Sequence, residues 1–281
     1  MLLSLDGSNI GCFGVGTKAA NLSLLSSSFN VPAGFCITNR VFKSIVRCAG
    51  VLDFNKEINA FDPGDFKSIE KISIKIRKRI LTCKLQGSFV KDLKMFLDKL
   101  GKGPFAVRSS SVLEDKQKSS FAGQLDSYLN RRNFKDVEKS VKKCLASFYN
   151  SRAIAYRIKR NIVELEPRMS VVIQKMIQPV FSGVTFTKSP NEPSYIHIEA
   201  VSGLGANLVS GKSSPNSYDL DRASFTLRKN KENFQVDGRI VESIAKTALA
   251  IEKFFGQPQD IEWCVDKDMK IWVVQARPIT A

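Results

Sequence analysis

The chain has 281 residues, of which 43% are hydrophobic and 25% charged, enough apolar material for one large core or two smaller ones and no composition of wholesale disorder. Its net charge of +16 suits a polyanionic partner such as nucleotide phosphates, or simply marks solvated lysine-rich helix faces. The basic residues are spread rather than blocked, which disfavours nucleic acid, and no apolar run is long enough to span a bilayer.

The chain opens without a basic region ahead of its apolar residues and meets Asp6 early, so the expected location is cytoplasmic. Residues 17–28 carry Ala19, Leu22 and Leu25 at helical spacing, and Val31-Pro32-Ala33-Gly34 breaks the pattern before a short strand, Phe35-Cys36-Ile37. Residues 66–81 place Ile69, Ile72, Ile76 and Ile80 on one helical face. A Gly101–Pro104 turn leads into a strand from Phe105, and 134–149 form a second amphipathic helix through Phe134, Val137, Val141, Leu145 and Phe148. Ser170–Met176 and Tyr195–Glu199 read as strands, with a crossover between two lobes expected near Gln174–Phe181. The chain closes with strands at about 260–265 and 271–277, and the mixture predicts an α+β module. Six cysteines without a CxxC pair are expected as reduced thiols in or near cores, and a single histidine disfavours zinc.

The closing hairpin carries the most chemistry. A tight loop centred on Asp268-Met269 sets Glu262 opposite Gln275 and Asp260 opposite Arg277, all four on one face. Ile261, Trp263, Val265, Trp272, Val274 and Ala276 then form the apolar face. The polar face presents oxygen donors suited to Mg²⁺ and a guanidinium suited to phosphate, or alternatively a solvated strand face with an Asp260–Arg277 pair. Arg108 enters a hydroxyl-rich stretch, Ser109-Ser110-Ser111, followed by Ser120 to Ser127, a pattern of phosphate-holding turns or of ordinary loop chemistry. Gly14-Val15-Gly16-Thr17-Lys18 opens a helix, as a phosphate site does, without P-loop spacing. Gly203-Leu204-Gly205 is a glycine turn or a plain connection, and His197 alternates with Tyr195 and Glu199 as a structural strand residue.

In order along the chain, Gly16 to Leu22, Val31 to Phe35, Phe105 to Ser111, Ser120 to Gln124, Val171 to Met176, Ser182 to Thr187, Gly203 to Gly205, Gln259 to Trp263 and Gln275 to Thr280 resemble one family. It is the N-terminal ATP-grasp domain of pyruvate phosphate dikinase, phosphoenolpyruvate synthase and rifampin phosphotransferase, with wording nearest the last. The resemblance implies a two-lobed ATP-grasp-like fold, with lobes at 1–177 and 178–281. It implies that Lys18, Arg108 and Arg277 are phosphate-binding, catalytic cations. It makes Glu262 and Gln275 the Mg²⁺ ligands, with Asp260 nearby. Gln174, Gly123 and Ser127 become nucleotide contacts. The family's usual Gly-Gly-Lys is Gly16-Thr17-Lys18 here, and its usual Gly-Leu-Gly-Glu ends at Ala206.

The function implied is a MgATP-binding module of a dikinase-type phosphotransferase, which passes the ATP β-phosphate to a histidine on a separate domain or protein. The acceptor small molecule is unspecified, and the module is expected to be incomplete without partner domains. Two other readings stand beside it: a stand-alone ATP-dependent kinase or ligase, and a non-catalytic nucleotide-sensing module.

Overall fold

The computed structural model describes residues 2–8, 10–11, 14–111, 115–116, 119–120, 126–160, 162, 169–190, 192–205, 214–234 and 236–279. The chain divides into two compact units, one made of Met1–Ala20 and Ala33–Met176, the other of Asn21–Pro32 and Ile177–Ala281. The expected α+β class holds, with one large antiparallel sheet in each unit. Among the described residues no helix is long and apolar enough to cross a membrane.

In the first unit, β1 (Leu2–Ser4), β2 (Gly34–Ile37), β3 (Phe105–Ser111), β6 (Ser127–Arg131) and β7 (Met169–Lys175) run in the order β1-β2-β7-β3-β6. The two-residue strands β4 (Asp115–Lys116) and β5 (Ser119–Ser120) pair with each other. Alternation sends Phe35, Ile37, Phe105, Val107, Val171 and Ile173 to one face, where they join the core. Helices cover that core: α2 (Asn39–Cys48), α3 (Phe54–Asn59), α4 (Phe66–Thr82), α5 (Gly87–Leu100), α6 (Phe134–Ser147) and α7 (Ser151–Lys159). Helix α4 starts where Asp65 accepts the Ser68 amide at 3.1 Å. Its Ile69, Ile72, Ile76 and Ile80 are all buried, each contributing about 1.5–3 kcal/mol by leaving water. Buried Arg157 is satisfied by the Phe148 carbonyl at 2.7 Å and by the Phe148 ring.

Helix α1 (Gly16–Leu25) gives its first residues to the first unit and its last to the second. It ends earlier than the spacing predicts. Ser26 and Ser27 turn their hydroxyls onto the Ser23 and Leu24 carbonyls at 2.8 Å, and serine bonds of this kind compete with helix continuation.

In the second unit, β8 (Pro179–Phe186), β9 (Tyr195–Ser202), β10 (Asn216–Asp221), β11 (Leu227–Lys231), β12 (Gln259–Asp266) and β13 (Ile271–Pro278) run β11-β10-β9-β8-β12-β13. Helix α8 (Gly238–Phe255) lays Val241, Ile244, Ala245, Ala248 and Ile251 on the core. It is capped by Asp237 and stopped by left-handed Gly256. The segment 21–32 is tied into this unit. Leu25 lies in its core, the Asn21 amide reaches the Ala276 carbonyl at 2.9 Å, and the Val273 amide reaches the Asn30 carbonyl at 2.8 Å.

Candidate functional site

The first unit gathers its candidate groups on the sheet face opposite the helical core. Ladder partners share a face, and Gln174 pairs with Ala106, Val172 with Arg108 and Ser170 with Ser110 across β7 and β3. Arg108 also sits opposite Ser127 on β6, and Gly34 opposite Gln174 on β2. Gln174, Arg108 and Ser127 therefore lie on one surface. Gly34 clears space for the buried Gln174, since a Cβ there meets the Gln174 Cγ at 2.8 Å and the Ile173 carbonyl oxygen at 2.5 Å.

The start of α1 is fastened to this same face. Gly16 has φ +74°, and a Cβ on it falls within 2.5–2.7 Å of Ser110, so only glycine fits. The Ser110 hydroxyl donates to the Val15 carbonyl at 2.7 Å and accepts from the Ala19 amide at 3.1 Å. The Ser170 hydroxyl bonds the same Val15 carbonyl. Lys18 is half-buried, and its Nζ donates to the Ser109 carbonyl at 2.9 Å, next to Arg108.

Two expectations change here. Ser109, Ser110 and Ser111 are not a turn; they continue strand β3 and are buried. The Ser110 hydroxyl is engaged by the helix start, so it is scaffold rather than an open donor. Gly123 lies outside the described residues, as does Ala206.

In the second unit the hairpin of β12 and β13 has the expected polar register: Asp260 opposite Arg277, and Glu262 opposite Gln275. Arg277 donates to Asp260 Oδ2 from Nε at 2.8 Å and from Nη2 at 2.6 Å. Asp260 and Gln275 are buried, and Glu262 is half-buried between them on the face. The apolar face differs from the expectation. The ladder slips after Glu262, so Trp263 pairs with Val273 and Cys264 with Trp272. Val274 becomes the extra residue, and Val273 and Ile271, not Val274 and Trp272, join Ile261, Trp263, Val265 and Ala276 at the core. Trp272 turns to the polar face, where its indole N–H donates to Asp266 at 2.7 Å.

Strand β8 packs closely against the hairpin. Gly183 stands opposite Trp263, and a Cβ there comes within 2.5 Å of the Trp263 ring and 2.0 Å of the Glu199 carbonyl oxygen. Two residues on, the Thr185 hydroxyl accepts the Trp263 indole N–H at 2.8 Å. The Ser182 hydroxyl reaches the Gly203 carbonyl at 2.5 Å, which fixes the glycine turn.

The sequence reading does not bring out how the polar ladder continues. Asp260 is opposite Phe186, Phe186 opposite His197, and His197 opposite Asp219. His197 Nδ1 lies 2.6 Å from Asp219 Oδ1, and Nε2 lies 3.6 Å from Glu199. Period-two alternation through Tyr195, His197 and Glu199 was the available signal; the partner Asp219 depends on long-range pairing.

Comparison with known proteins now decides the family. The family model of the pyruvate phosphate dikinase, AMP/ATP-binding domain matches residues 14–232 and 219–281. The chain belongs to this family. Among its curated relatives, rifampicin phosphotransferase of Bacillus cereus is 33% identical over 298 residues, covering 95% of this chain and 34% of the relative. A probable phosphoenolpyruvate synthase of Methanocaldococcus jannaschii is 31% identical over 301 residues, covering 94% of this chain and 25% of the relative. The chain thus spans about a third or less of the length of these relatives. Among solved structures, the dinucleotide-forming acetyl-coenzyme A synthetase 1 of Candidatus Korarchaeum cryptofilum matches at a TM-score of 0.41 and 14% identity, covering 68% of this chain and 81% of that one.

Proposed function

We propose that this pyruvate phosphate dikinase-type module binds MgATP and passes the β-phosphate to a histidine on a separate domain or protein, leaving AMP, while the γ-phosphate departs as inorganic phosphate with consumption of one water. The observation that carries the reading is the hairpin face, on which Asp260–Arg277 and Glu262–Gln275 are adjacent cross-strand pairs. The family match and its phosphotransferase relatives support it. In this reading the module is cytoplasmic, and its two ATP-grasp lobes divide near residue 177, except that segment 21–32 belongs to the second.

Glu262 and Gln275 are the proposed metal ligands. Their donor atoms are hard oxygens on neighbouring strands, and Asp260 is already held by Arg277, so the donor set fits Mg²⁺ completed by phosphate oxygens. When bound, Mg²⁺ would neutralise phosphate charge. Arg277, oriented by Asp260, takes a phosphate oxygen with its guanidinium. Lys18 and Arg108 supply the first unit's positive charge to the phosphates. Gln174 contacts the nucleotide, with Gly123 and Ser127 as further ATP contacts. Phosphoryl transfer needs such positioning and charge neutralisation more than covalent chemistry.

Calorimetric titration with MgATP tests the site. Glu262→Ala and Arg277→Ala are expected to weaken binding at least about tenfold, or about 1.4 kcal/mol. Unchanged affinity in both variants overturns the assignment. Product analysis with a phosphohistidine-domain partner tests the reaction: AMP and a phosphohistidine are expected, whereas ADP with a phosphorylated small molecule would indicate a stand-alone kinase.

A further inference from the structure

The expectation that the cysteines sit in or near cores fails at Cys48, while Cys83 packs against the core and Cys12 lies outside the described residues. Cys36, Cys144 and Cys264 are buried, but Cys48 is exposed and Cys83 partly so. Burial pushes the Cys36 thiol up to about 12, which keeps it in the unreactive protonated form. Cys48 is the last residue of α2 and Cys83 caps the end of α4, so the chain brings two helix ends and their thiols together. Both thiols line one small surface pocket with Val41, Ile45, Lys84 and Phe89. The Arg79 guanidinium pins these two helix ends together, donating from the last turn of α4 to the Ala49 and Gly50 carbonyls at 3.4 and 3.1 Å just past the end of α2.

We propose that Cys48 and Cys83 form a redox-active thiol pair, a modification site that a small-molecule disulfide of the glutathione class converts to an intrachain disulfide. Exposed Cys48 is the entry point. Its thiolate attacks one sulfur of glutathione disulfide; that S–S bond breaks and one glutathione thiolate leaves. Cys83 then gives its proton to solvent and attacks Cys48 Sγ, forming the Cys48–Cys83 bond and expelling the second glutathione. Two protein thiols are oxidised and one glutathione disulfide is reduced to two thiols. Burial and the adjoining Cys48 thiol raise the pKa of Cys83, with Lys142 opposing, so the closing step accelerates as pH rises.

The test exposes the folded full chain to excess glutathione disulfide, blocks remaining thiols after denaturation, and maps peptides by mass spectrometry. The expected result is loss of two of the six thiols and one Cys48–Cys83 cross-linked peptide in a monomeric chain. In Cys83→Ser, Cys48 is expected to stop as the glutathione mixed disulfide; in Cys48→Ser, Cys83 forms no bridge. Circular dichroism of both variants checks that they fold. Retention of all six thiols in the wild type overturns the proposal. So does a stable mixed disulfide at wild-type Cys48, or bridging through any other cysteine.

Discussion

Arg277 makes two short contacts to a single oxygen, Asp260 Oδ2, through Nε at 2.8 Å and Nη2 at 2.6 Å. The pair is cross-strand, and Asp260 is buried while a third of the Arg277 side chain is exposed. Asp260 therefore orients the guanidinium of a side chain that is partly open to solvent. Asp260→Asn keeps an oxygen acceptor but loses the charge, and Arg277→Lys keeps the charge but loses the fork. Each is expected to fold, at a cost of about 1–2 kcal/mol, and to weaken MgATP binding about tenfold. Calorimetry decides: if neither variant changes affinity, the pair only staples two strands.

Gly16 makes a separate and sharper prediction. Its φ of +74° and its contact with Ser110 forbid a side chain for two independent reasons. Gly16→Ala should cost about 2–4 kcal/mol in urea unfolding. It should also displace Lys18, weakening MgATP binding. Gly87→Ala is the control: nothing lies within 4 Å of its added Cβ and its φ is ordinary, so stability should move by less than about 0.5 kcal/mol. Equal effects at the two glycines would contradict the close packing of Gly16 on β3.

Much of this was legible because it is local. Helices α4 and α6 announce themselves by isoleucine and valine at helical spacing, and the Asp260–Arg277 and Glu262–Gln275 pairs follow from period two and a short loop. The bulge at Val274 was not legible, because Val273-Val274 is a uniform β-branched run with no glycine or proline to mark the extra residue. One inserted residue then exchanges Trp272 for Val273 at the core. The shared face of Gln174, Arg108 and Ser127 was not legible either. It depends on β7 lying between β2 and β3, a long-range pairing that no local pattern encodes. Helix α8 is not among the elements predicted above, although Val241, Ile244, Ala248 and Ile251 stand at helical spacing.

Gly183, Thr185 and Trp263 form one packing unit, and their substitutions should show coupling. Gly183→Ala drives a methyl into the Glu199 carbonyl and the Trp263 ring, so a loss of at least about 3 kcal/mol is expected. Trp263→Phe and Thr185→Val each leave one buried hydrogen-bonding group unpaired, costing about 1–3 kcal/mol from that source. The double variant should cost less than the sum, because no unpaired partner remains. Strict additivity in denaturant unfolding would mean the 2.8 Å bond contributes nothing to stability.

The hairpin tip predicts a pH dependence with a definite sign. The Trp272 indole N–H holds the Asp266 carboxylate below its ordinary value of 3.8, and the Lys270 and Asp268 amides add to this at 3.0 Å. A depressed carboxylate favours the folded state above its unfolded pKa, and that contribution is lost as pH falls through the folded value. The tip should therefore be unchanged through neutral and mildly acidic pH and open only below about 3.8. In protein labelled with 5-fluorotryptophan, the chain's two tryptophans can be followed by fluorine NMR. The Trp272 resonance should titrate with a midpoint below 3.8, and Asp266→Asn should abolish that step while leaving Trp263, bonded to Thr185 instead, in place. A Trp272 midpoint above 3.8, or one indifferent to Asp266→Asn, would show that the carboxylate does not organise the turn.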